Sequence, residues 1–245
     1  MKIKSFKDPD FKVICDFDGT ISKNDTFDQL LERFADPIWQ DIEADWVKGK
    51  IGTAECMRRQ VELVKISKRQ LDNWLSFIQI DVQFINFVKF CQKLNIEISI
   101  ASDGIDYLIK KILAHYGLNS IQVSANKLIF KEKNKMTLAF SEKLNLCDSK
   151  SMVCKCSIAA AHKKSGKKIV YVGDGHSDYC VSKRIDLVLA KANLLAYCKQ
   201  HELPHYAIDD FSDVMMRVKQ LIRQPESVIE KNVDQKKQFF KSLNS

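Results

Sequence analysis

Short apolar runs recur along the chain, and most of them end in polar residues. The runs cover residues 12–15, 96–101, 168–172, 187–190 and, more weakly, 206–208. Uninterrupted apolar runs of this length are typical of strands that are covered on both faces of a sheet. We therefore predict four buried strands and a fifth, weaker one.

Helical patterns separate the predicted strands, at residues 82–94, 105–116, 157–164 and 178–185. Strands that alternate with helices indicate an α/β fold, here a Rossmann-like, doubly wound parallel sheet with helices on both faces. In such sheets the ligand lies beyond the carboxyl ends of the strands. The pattern therefore directs attention to the residues that follow each strand.

Polar side chains gather at three of these strand ends. Asp16 and Asp18 follow the first run, Ser102 follows the second, and Asp174 and Asp178 follow the third. Because the carboxyl ends of parallel strands meet at one edge of a sheet, we expect these side chains to form a single site.

The stretch from residue 26 to residue 81 has helical spacing throughout, with predicted helices at 27–35, 38–48, 53–64 and 68–76. Because these helices interrupt the alternation after the first strand, we predict a small helical cap domain at 26–81. The core domain then comprises residues 1–25 and 82–225. An insert at about 123–153 is predicted to hold a β-hairpin of residues 127–130 and 136–140, and residues 226–245 are a C-terminal tail.

Composition and charge exclude several classes of protein. The chain of 245 residues is 45% hydrophobic with only 8 Gly and 4 Pro, which argues against a disordered or low-complexity chain. No apolar run is long enough to span a membrane, and the first residues lack the apolar core of a secretory signal. We therefore expect a cytoplasmic protein whose eight cysteines are reduced thiols. The net charge of +8 is spread along the chain, and we interpret it as solvated surface.

The strongest chemical signal is the run Asp16-Phe17-Asp18-Gly19-Thr20. Two carboxylates leave the end of a strand together, so that one can attack a phosphorus atom while the other manages a proton. The attacking carboxylate must stay ionised, which a bound cation favours. Gly19 lets the backbone turn tightly close to a phosphate.

The run Gly-Asp-Gly-His-Ser-Asp supplies a second pair of carboxylates, Asp174 and Asp178. Carboxylate oxygens are the hard ligands that Mg²⁺ prefers. Asp174 can supply one ligand, and Asp178 can hold a metal-bound water or orient a neighbouring lysine. We therefore predict Mg²⁺ as the cofactor.

Two further segments suit phosphate binding. The hydroxyl of Ser102 and the nearby backbone at Asp103 and Gly104 precede a predicted helix, where N–H groups bind phosphate oxygens. Lys155 also precedes a predicted helix, and a lysine beside the nucleophile would neutralise phosphate charge as a point cation.

Together and in this order, these motifs resemble the haloacid dehalogenase superfamily of phosphatases, over residues 11–190. The helical insert after the first motif is similar to the subgroup that contains phosphoserine phosphatase. The run at 102–104, the cysteine-rich stretch before Lys155 and the segment 186–205 are most similar to bacterial methionine-salvage phosphatases. Those enzymes act on 2-hydroxy-3-keto-5-methylthiopentenyl 1-phosphate.

The resemblance implies a magnesium-dependent phosphatase that hydrolyses a small phosphate monoester through an aspartyl-phosphate. Asp16 would be the nucleophile, and Asp18 would be the general acid and then the general base. Mg²⁺ would be held by the Asp16 carboxylate, the Asp18 backbone carbonyl and Asp174, with Asp178 in support.

Substrate choice is assigned to the cap. Asp25 stands where phosphoserine phosphatases have a Glu that faces the substrate amine, and the shorter side chain weakens the case for phosphoserine. Arg58 and Arg59 are candidate binders of a carboxylate or hydroxyl group.

Three hypotheses stay open at this point. The favoured partner is a small-molecule phosphate ester, which includes the enol phosphate, phosphoserine and phosphorylated amino alcohols or sugars. A phosphotransferase or phosphoprotein phosphatase on the same scaffold is the second hypothesis. A non-enzymatic relative that binds nucleic acid is the least favoured, because a binder has no need of all these motifs. The sequence fixes neither the oligomeric state nor the role of the tail and of the cysteines at 147–156.

Overall fold

The computed structural model describes residues 11–140, 152–164 and 166–223. Its strands are β1 (Phe11–Cys15), β2 (Ile98–Ile105), β3 (Gln122–Phe130), β4 (Met136–Ala139), β5 (Lys168–Gly173), β6 (Leu187–Ala190) and β7 (His205–Ala207). They form one seven-stranded sheet in the order β4-β3-β2-β1-β5-β6-β7. Neighbouring strands are parallel except for the antiparallel pair β3 and β4. The predicted α/β fold is thereby confirmed.

The helices are α1 (Thr26–Phe34), α2 (Trp39–Val47), α3 (Thr53–Glu62), α4 (Lys68–Leu75), α5 (Val82–Lys93), α6 (Asp106–His115), α7 (Lys155–Lys163), α8 (Tyr179–Ser182), α9 (Ala192–Gln200) and α10 (Phe211–Arg223). Short 3₁₀ turns occupy Glu132–Asn134 and His176–Asp178. None of the helices in the described ranges has the length and apolar character needed to cross a bilayer.

Strand β1 lies in the middle of the sheet and has core packing on both faces. Its neighbours are β2 on one side and β5 on the other. Val13 and Cys15 pack into the larger apolar core, whereas Ile14 packs into a second core across the sheet. Because side chains alternate along a strand, this division explains why the whole run is apolar. It also places residue 16 at the centre of the sheet edge.

Helices α1–α4 lie between β1 and α5, as the sequence pattern predicted. The two ends of this helical segment are joined, because Ser22 pairs with Ile80 in an antiparallel bridge. The N–H of Asp81 also donates to the carbonyl of Ile21 at 2.8 Å. The chain therefore leaves and re-enters the sheet at one point, which holds the helices near the carboxyl ends of the strands. That these residues form a separate cap domain stays a prediction.

The predicted hairpin is present, with Lys127 opposite Ala139 and Phe130 opposite Met136. It differs from the prediction in its first strand, which begins at Gln122 and pairs with β2. The hairpin therefore extends the main sheet. Because β3 lies near the sheet edge, its first residues include polar ones and do not form an apolar run. The sequence pattern therefore did not predict this part of the strand. Residues 141–151 of the predicted insert and the tail at 226–245 lie outside the described residues.

Asp81 connects two helices through its side chain. One carboxylate oxygen accepts from the N–H of Gln83 in α5, and the other accepts from the N–H of Phe211 in α10, both at 2.8 Å. We expect Asp81→Ala to lower the free energy of unfolding by about 2 kcal/mol, because each lost cap costs about 1 kcal/mol. Urea unfolding followed by circular dichroism measures the change. Ser67→Ala, which removes the single cap of α4, is the control. An equal decrease in the free energy of unfolding in both variants would contradict the capping of two helices by Asp81.

Candidate active site

A cleft of about 550 Å³ lies between the carboxyl ends of the central strands and the helices α1–α3. On the sheet side it is lined by residues from three strand ends, including Asp16, Ser102 and Asp174. On the helical side it is lined by residues such as Phe27, Glu43 and Trp46. The three predicted strand ends therefore meet in one place, and the helices provide the opposite wall.

Lys155 joins the first and last motifs beneath this cleft. It is the first residue of α7 and is 3% exposed. Its Nζ donates to Asp16 Oδ2 and Asp178 Oδ1, each at 2.6 Å, and to Ser177 Oγ at 2.7 Å. All three protons of the ammonium group are thereby used. A residue that is 139 positions away in sequence thus becomes a direct partner of Asp16.

The charges of this group depend on one another. Burial alone would lower the pKa of Lys155, but Asp16 and Asp178 outweigh that effect and raise it. Burial raises the pKa of Asp16 well above its ordinary value, while Lys155 acts in the opposite direction. The lysine is therefore a permanent cation, and it does not fully compensate the buried carboxylate of Asp16.

Asp178 uses both of its carboxylate oxygens within the protein. Oδ1 accepts from Lys155 and from the hydroxyl of Tyr171 at 2.5 Å. Oδ2 accepts from the backbone N–H groups of Asp174 and Gly175 at 3.0 and 3.1 Å. Of its two predicted roles, orientation of the neighbouring lysine has direct geometric support.

Asp18 is held by the start of helix α1. Its Oδ1 accepts from the backbone N–H and the hydroxyl of Thr26 at 2.9 and 2.7 Å. Burial raises the pKa of Asp18 to about 7, and nearby Asp25 adds to the rise while Thr26 opposes it. A carboxyl group with a pKa near neutrality can donate a proton and later accept one, as acid–base catalysis requires.

Residues 102–104 form a bulge within β2. The pairing with β3 shifts between Ala101 and Ile105, so that Ser102, Asp103 and Gly104 leave the ladder. The Gly104 N–H donates to Ser102 Oγ at 2.9 Å, and buried Asn126 donates to the carbonyls of Asp103 and Gly104. This bulge brings all three residues to the cleft.

Three carboxylates are placed to bind a cation. Asp16, Asp174 and Asp178 each offer an oxygen, and these atoms all lie within 4.8 Å of one another. Burial raises the pKa of Asp174, although a hydrogen bond from the Thr20 hydroxyl opposes the shift. Buried carboxylates with raised pKa values gain stability when a cation binds, and oxygen donors suit a hard metal ion. The cluster therefore fits a metal site.

The helical wall of the cleft carries a group of acidic residues, Asp25, Asp28 and Glu43. Asp25 begins α1 and accepts from the N–H groups of Phe27 and Asp28 at 2.9 and 3.0 Å. Although Asp25 and Asp28 keep solvent-exposed surface, loss of hydration in the cleft raises the pKa of both, to about 6 for Asp28. Glu43 raises both pKa values further and accepts from Gln60 Nε2 at 2.8 Å.

The two arginines predicted to select the substrate do not line the cleft. Arg58 is exposed, with its guanidinium 5.1 Å from the ring centre of Phe140. Arg59 is exposed and pairs with Glu55 one helical turn away, at 3.5 Å. Their position follows from helix geometry, because each residue advances the direction by about 100°. Because Cys56 faces the cleft, Arg58 and Arg59 lie on other faces of the same helix.

Sequence reasoning missed the cleft residues that come from α2 and α3. Thr53, Cys56, Met57 and Gln60 all line the cleft from α3. Their spacing of three and four residues marks one helical face, so the signal was present in the chain. The sequence does not, however, indicate which face of α2 or α3 turns toward the sheet. The sequence pattern assigned Tyr171 only to a strand, and its hydrogen bond to Asp178 was not predicted.

Comparison with known proteins identifies similar sequences. A family model described as haloacid dehalogenase-like hydrolase matches residues 13–183. A 2-hydroxy-3-keto-5-methylthiopentenyl-1-phosphate phosphatase of Brevibacillus brevis is 28% identical over 218 residues, which are 86% of this chain and 96% of the relative. The enzyme of the same name from Geobacillus thermodenitrificans is 28% identical over 216 residues, with 85% and 96% covered.

Solved structures share the fold at lower identity. A phosphoserine phosphatase with an analogue of the phospho-aspartyl intermediate has a TM-score of 0.63 at 22% identity, with 86% of this chain and 99% of that chain covered. A probable phosphoserine phosphatase from Vibrio cholerae has a TM-score of 0.65 at 15% identity, with 89% and 68% covered.

The absence of a side chain at residue 104 keeps Asp18 in place. A Cβ built on Gly104 would overlap Asp18 Oδ2. We expect Gly104→Ala to displace the carboxyl group of Asp18, the predicted acid and base, and to lower kcat about 100-fold on an aryl phosphate, because a shift of about 1 Å at such a group costs that much. Gly52→Ala, where a Cβ meets nothing within 4 Å, is the control. If both variants keep full activity, the close contact is unimportant.

Proposed function

The chain belongs to the haloacid dehalogenase-like hydrolases, and we propose that it is a magnesium-dependent phosphatase that hydrolyses a small phosphate monoester through an aspartyl-phosphate at Asp16. The observation that carries this proposal is the position of Asp16 in the cleft. It is held there by buried Lys155, with Asp174 close by. Asp18 lines the same cleft with a pKa suited to proton transfer.

The reaction proceeds in two displacements. In the first, a carboxylate oxygen of Asp16 attacks phosphorus, the bond from phosphorus to the ester oxygen breaks, and that oxygen takes the proton of Asp18. In the second, Asp18 accepts a proton from a water molecule whose oxygen attacks phosphorus, and the bond to Asp16 breaks to release phosphate. Splitting the reaction in this way replaces one difficult step with two easier ones.

The remaining residues hold the phosphoryl group and its charge. Mg²⁺ bound by Asp16, Asp174 and the Asp18 carbonyl would supply positive charge at the phosphoryl oxygens. Asp178 already accepts two hydrogen bonds at each carboxylate oxygen, so we assign it a supporting part at the metal site, in which it fixes Lys155. Ser102 and the backbone of Asp103 and Gly104 line the same cleft beside Asp18, where donors can meet phosphoryl oxygens.

The helical wall favours a leaving group without negative charge. Asp25, Asp28 and Glu43 line the cleft, whereas no Lys or Arg is among the described residues that line it. Phe27 and Met57 add apolar surface there. The leaving group of 2-hydroxy-3-keto-5-methylthiopentenyl 1-phosphate carries hydroxy, keto and methylthio groups and no charge. We therefore propose this enol phosphate, named in the curated relatives, as the substrate.

Phosphoserine is the second candidate because the similar folds include its phosphatases. Its leaving group carries an ammonium, which the acidic wall suits, and a carboxylate, which needs a cationic partner. Arg58 and Arg59, the candidates for that role, do not line the cleft, and Glu43 would repel the carboxylate. The lack of a cationic partner for this carboxylate therefore ranks phosphoserine behind the enol phosphate.

The mechanism makes a distinct prediction for each aspartate. Asp16→Asn is expected to abolish phosphate release from every substrate, because the nucleophile is gone. Asp18→Asn is expected to accumulate phosphoenzyme with 4-nitrophenyl phosphate, whose leaving group needs no proton, because only the second displacement then lacks its base. Acid-quenched protein mass and phosphate release, each with and without Mg²⁺, measure these outcomes. Phosphate release by Asp16→Asn, or release independent of any divalent cation, would refute the mechanism.

The charge of the helical wall makes a further prediction. Glu43→Gln is expected to raise kcat/KM for phosphoglycolate, whose leaving group carries a carboxylate and no ammonium, about 5-fold relative to 4-nitrophenyl phosphate, because it removes a repulsion of about 1 kcal/mol. Steady-state kinetics on both substrates measure the ratio. Glu55→Gln is the matched control on α3, since Glu55 is exposed, pairs with Arg59 and does not line the cleft. An unchanged ratio in Glu43→Gln would show that this wall does not select by charge.

A further inference from the structure

Two cysteines lie in contact beside the candidate active site. The Sγ atoms of Cys156 and Cys180 are 3.2 Å apart. Cys156 belongs to α7 and is 5% exposed, whereas Cys180 belongs to α8 and is partly exposed. The two helices pack against each other on the same side of the sheet, within the second apolar core. The contact therefore joins two elements that are 24 positions apart in sequence.

Each of these cysteines is next to a residue of the buried charge network. Cys156 follows Lys155 directly, and Cys180 comes two residues after Asp178. Lys155 and Asp178 are themselves joined by an ion pair of 2.6 Å. The two short helices thus contact each other twice, once through the charges at their starts and once through the sulfur atoms one or two residues further on.

We propose that Cys156 and Cys180 form a thiol–disulfide modification site, whose ligands are small disulfides of the glutathione type. A disulfide requires a sulfur–sulfur distance of about 2.05 Å, so the two sulfurs must approach by roughly 1.2 Å. Small rotations and shifts of two short neighbouring helices can provide this movement. Neither cysteine is needed for the proposed mechanism, so the pair is available for this second role.

The exchange proceeds in two balanced steps. The sulfur of Cys180, the more accessible of the two, attacks one sulfur of oxidised glutathione and releases one glutathione thiol. The Cys156 sulfur then attacks the sulfur of Cys180 and releases the second glutathione thiol. The two protein thiols lose two electrons and two protons, and oxidised glutathione gains them. Dithiothreitol reverses the exchange.

The disulfide lowers phosphatase turnover, a consequence that rests on the proposed function. Drawing Cys156 toward Cys180 moves the first turn of α7, and Lys155 moves with it. The Nζ of Lys155 lies 2.6 Å from both Asp16 and Asp178, so even a small shift of the lysine lengthens these ion pairs. Because misplacement of a catalytic group by about 1 Å costs about 100-fold, we expect a loss of that size in kcat/KM on oxidation.

The first experiment identifies the bond itself. The full-length protein is incubated with oxidised glutathione at fixed pH, digested without reduction and analysed by mass spectrometry. We expect a cross-linked pair of peptides that contain Cys156 and Cys180 and that separate with dithiothreitol. Only mixed glutathione adducts, or a bond from either residue to another cysteine, would overturn the proposal. This readout is independent of any catalytic activity.

The second experiment measures the consequence with 4-nitrophenyl phosphate and Mg²⁺. The wild-type protein should lose about 100-fold in kcat/KM on oxidation and regain it with dithiothreitol. The kcat/KM of Cys180→Ser should be the same before and after incubation with oxidised glutathione, because the variant lacks one of the two thiols. Cys154→Ser, which preserves an N-cap residue for α7, should respond like the wild type. If the disulfide forms and kcat/KM stays unchanged, the regulatory effect is overturned. If the wild-type protein has no phosphatase activity even after treatment with dithiothreitol, the proposed function is refuted instead.

Discussion

The buried ion pairs of Lys155 are the interaction on which the rest of the site depends. Removing a single charge from water costs several kcal/mol unless partners replace the lost hydration. Lys155 meets this requirement with Asp16, Asp178 and Ser177, which follow two neighbouring strands of the sheet. The carboxyl ends of β1 and β5 and the start of α7 must therefore come together in one arrangement. Any displacement of one of them leaves a buried charge without its partner.

The same carboxyl edge also positions the helical segment. Asp18 lies two residues from Asp16, and it accepts two hydrogen bonds from Thr26 at the start of α1. Asp81 closes the segment by binding the N–H groups at the starts of α5 and α10. Acidic side chains at helix N-termini are favourable because they satisfy unpaired N–H groups and the positive end of the helix dipole. One kind of interaction thus fixes both the carboxyl group that we propose as acid and base and the base of the helices opposite it.

Much of this arrangement follows from local sequence signals, and the exceptions have a common cause. The central strands and the motifs at their ends are predicted because an apolar run and the polar residues after it are adjacent in the chain. Arg58 and Arg59 were predicted to face the substrate, yet they do not line the cleft, because sequence identifies a helix without its rotation. The same limit hid Glu43 and Met57. The contact between Cys156 and Cys180 requires the packing of α7 on α8, which no spacing in the sequence encodes.

The distribution of charge explains why the site suits a metal ion. The protein carries a net charge of +8, but the described residues that line the cleft include seven carboxyl groups, namely those of Asp16, Asp18, Asp25, Asp28, Glu43, Asp103 and Asp174. Lys155 is already paired with Asp16 and Asp178. A phosphate monoester would bring up to two further negative charges into this cleft. Since repulsion between like charges increases as water is excluded, a divalent cation at Asp16 and Asp174 would let a phosphoryl group approach the proposed nucleophile, Asp16.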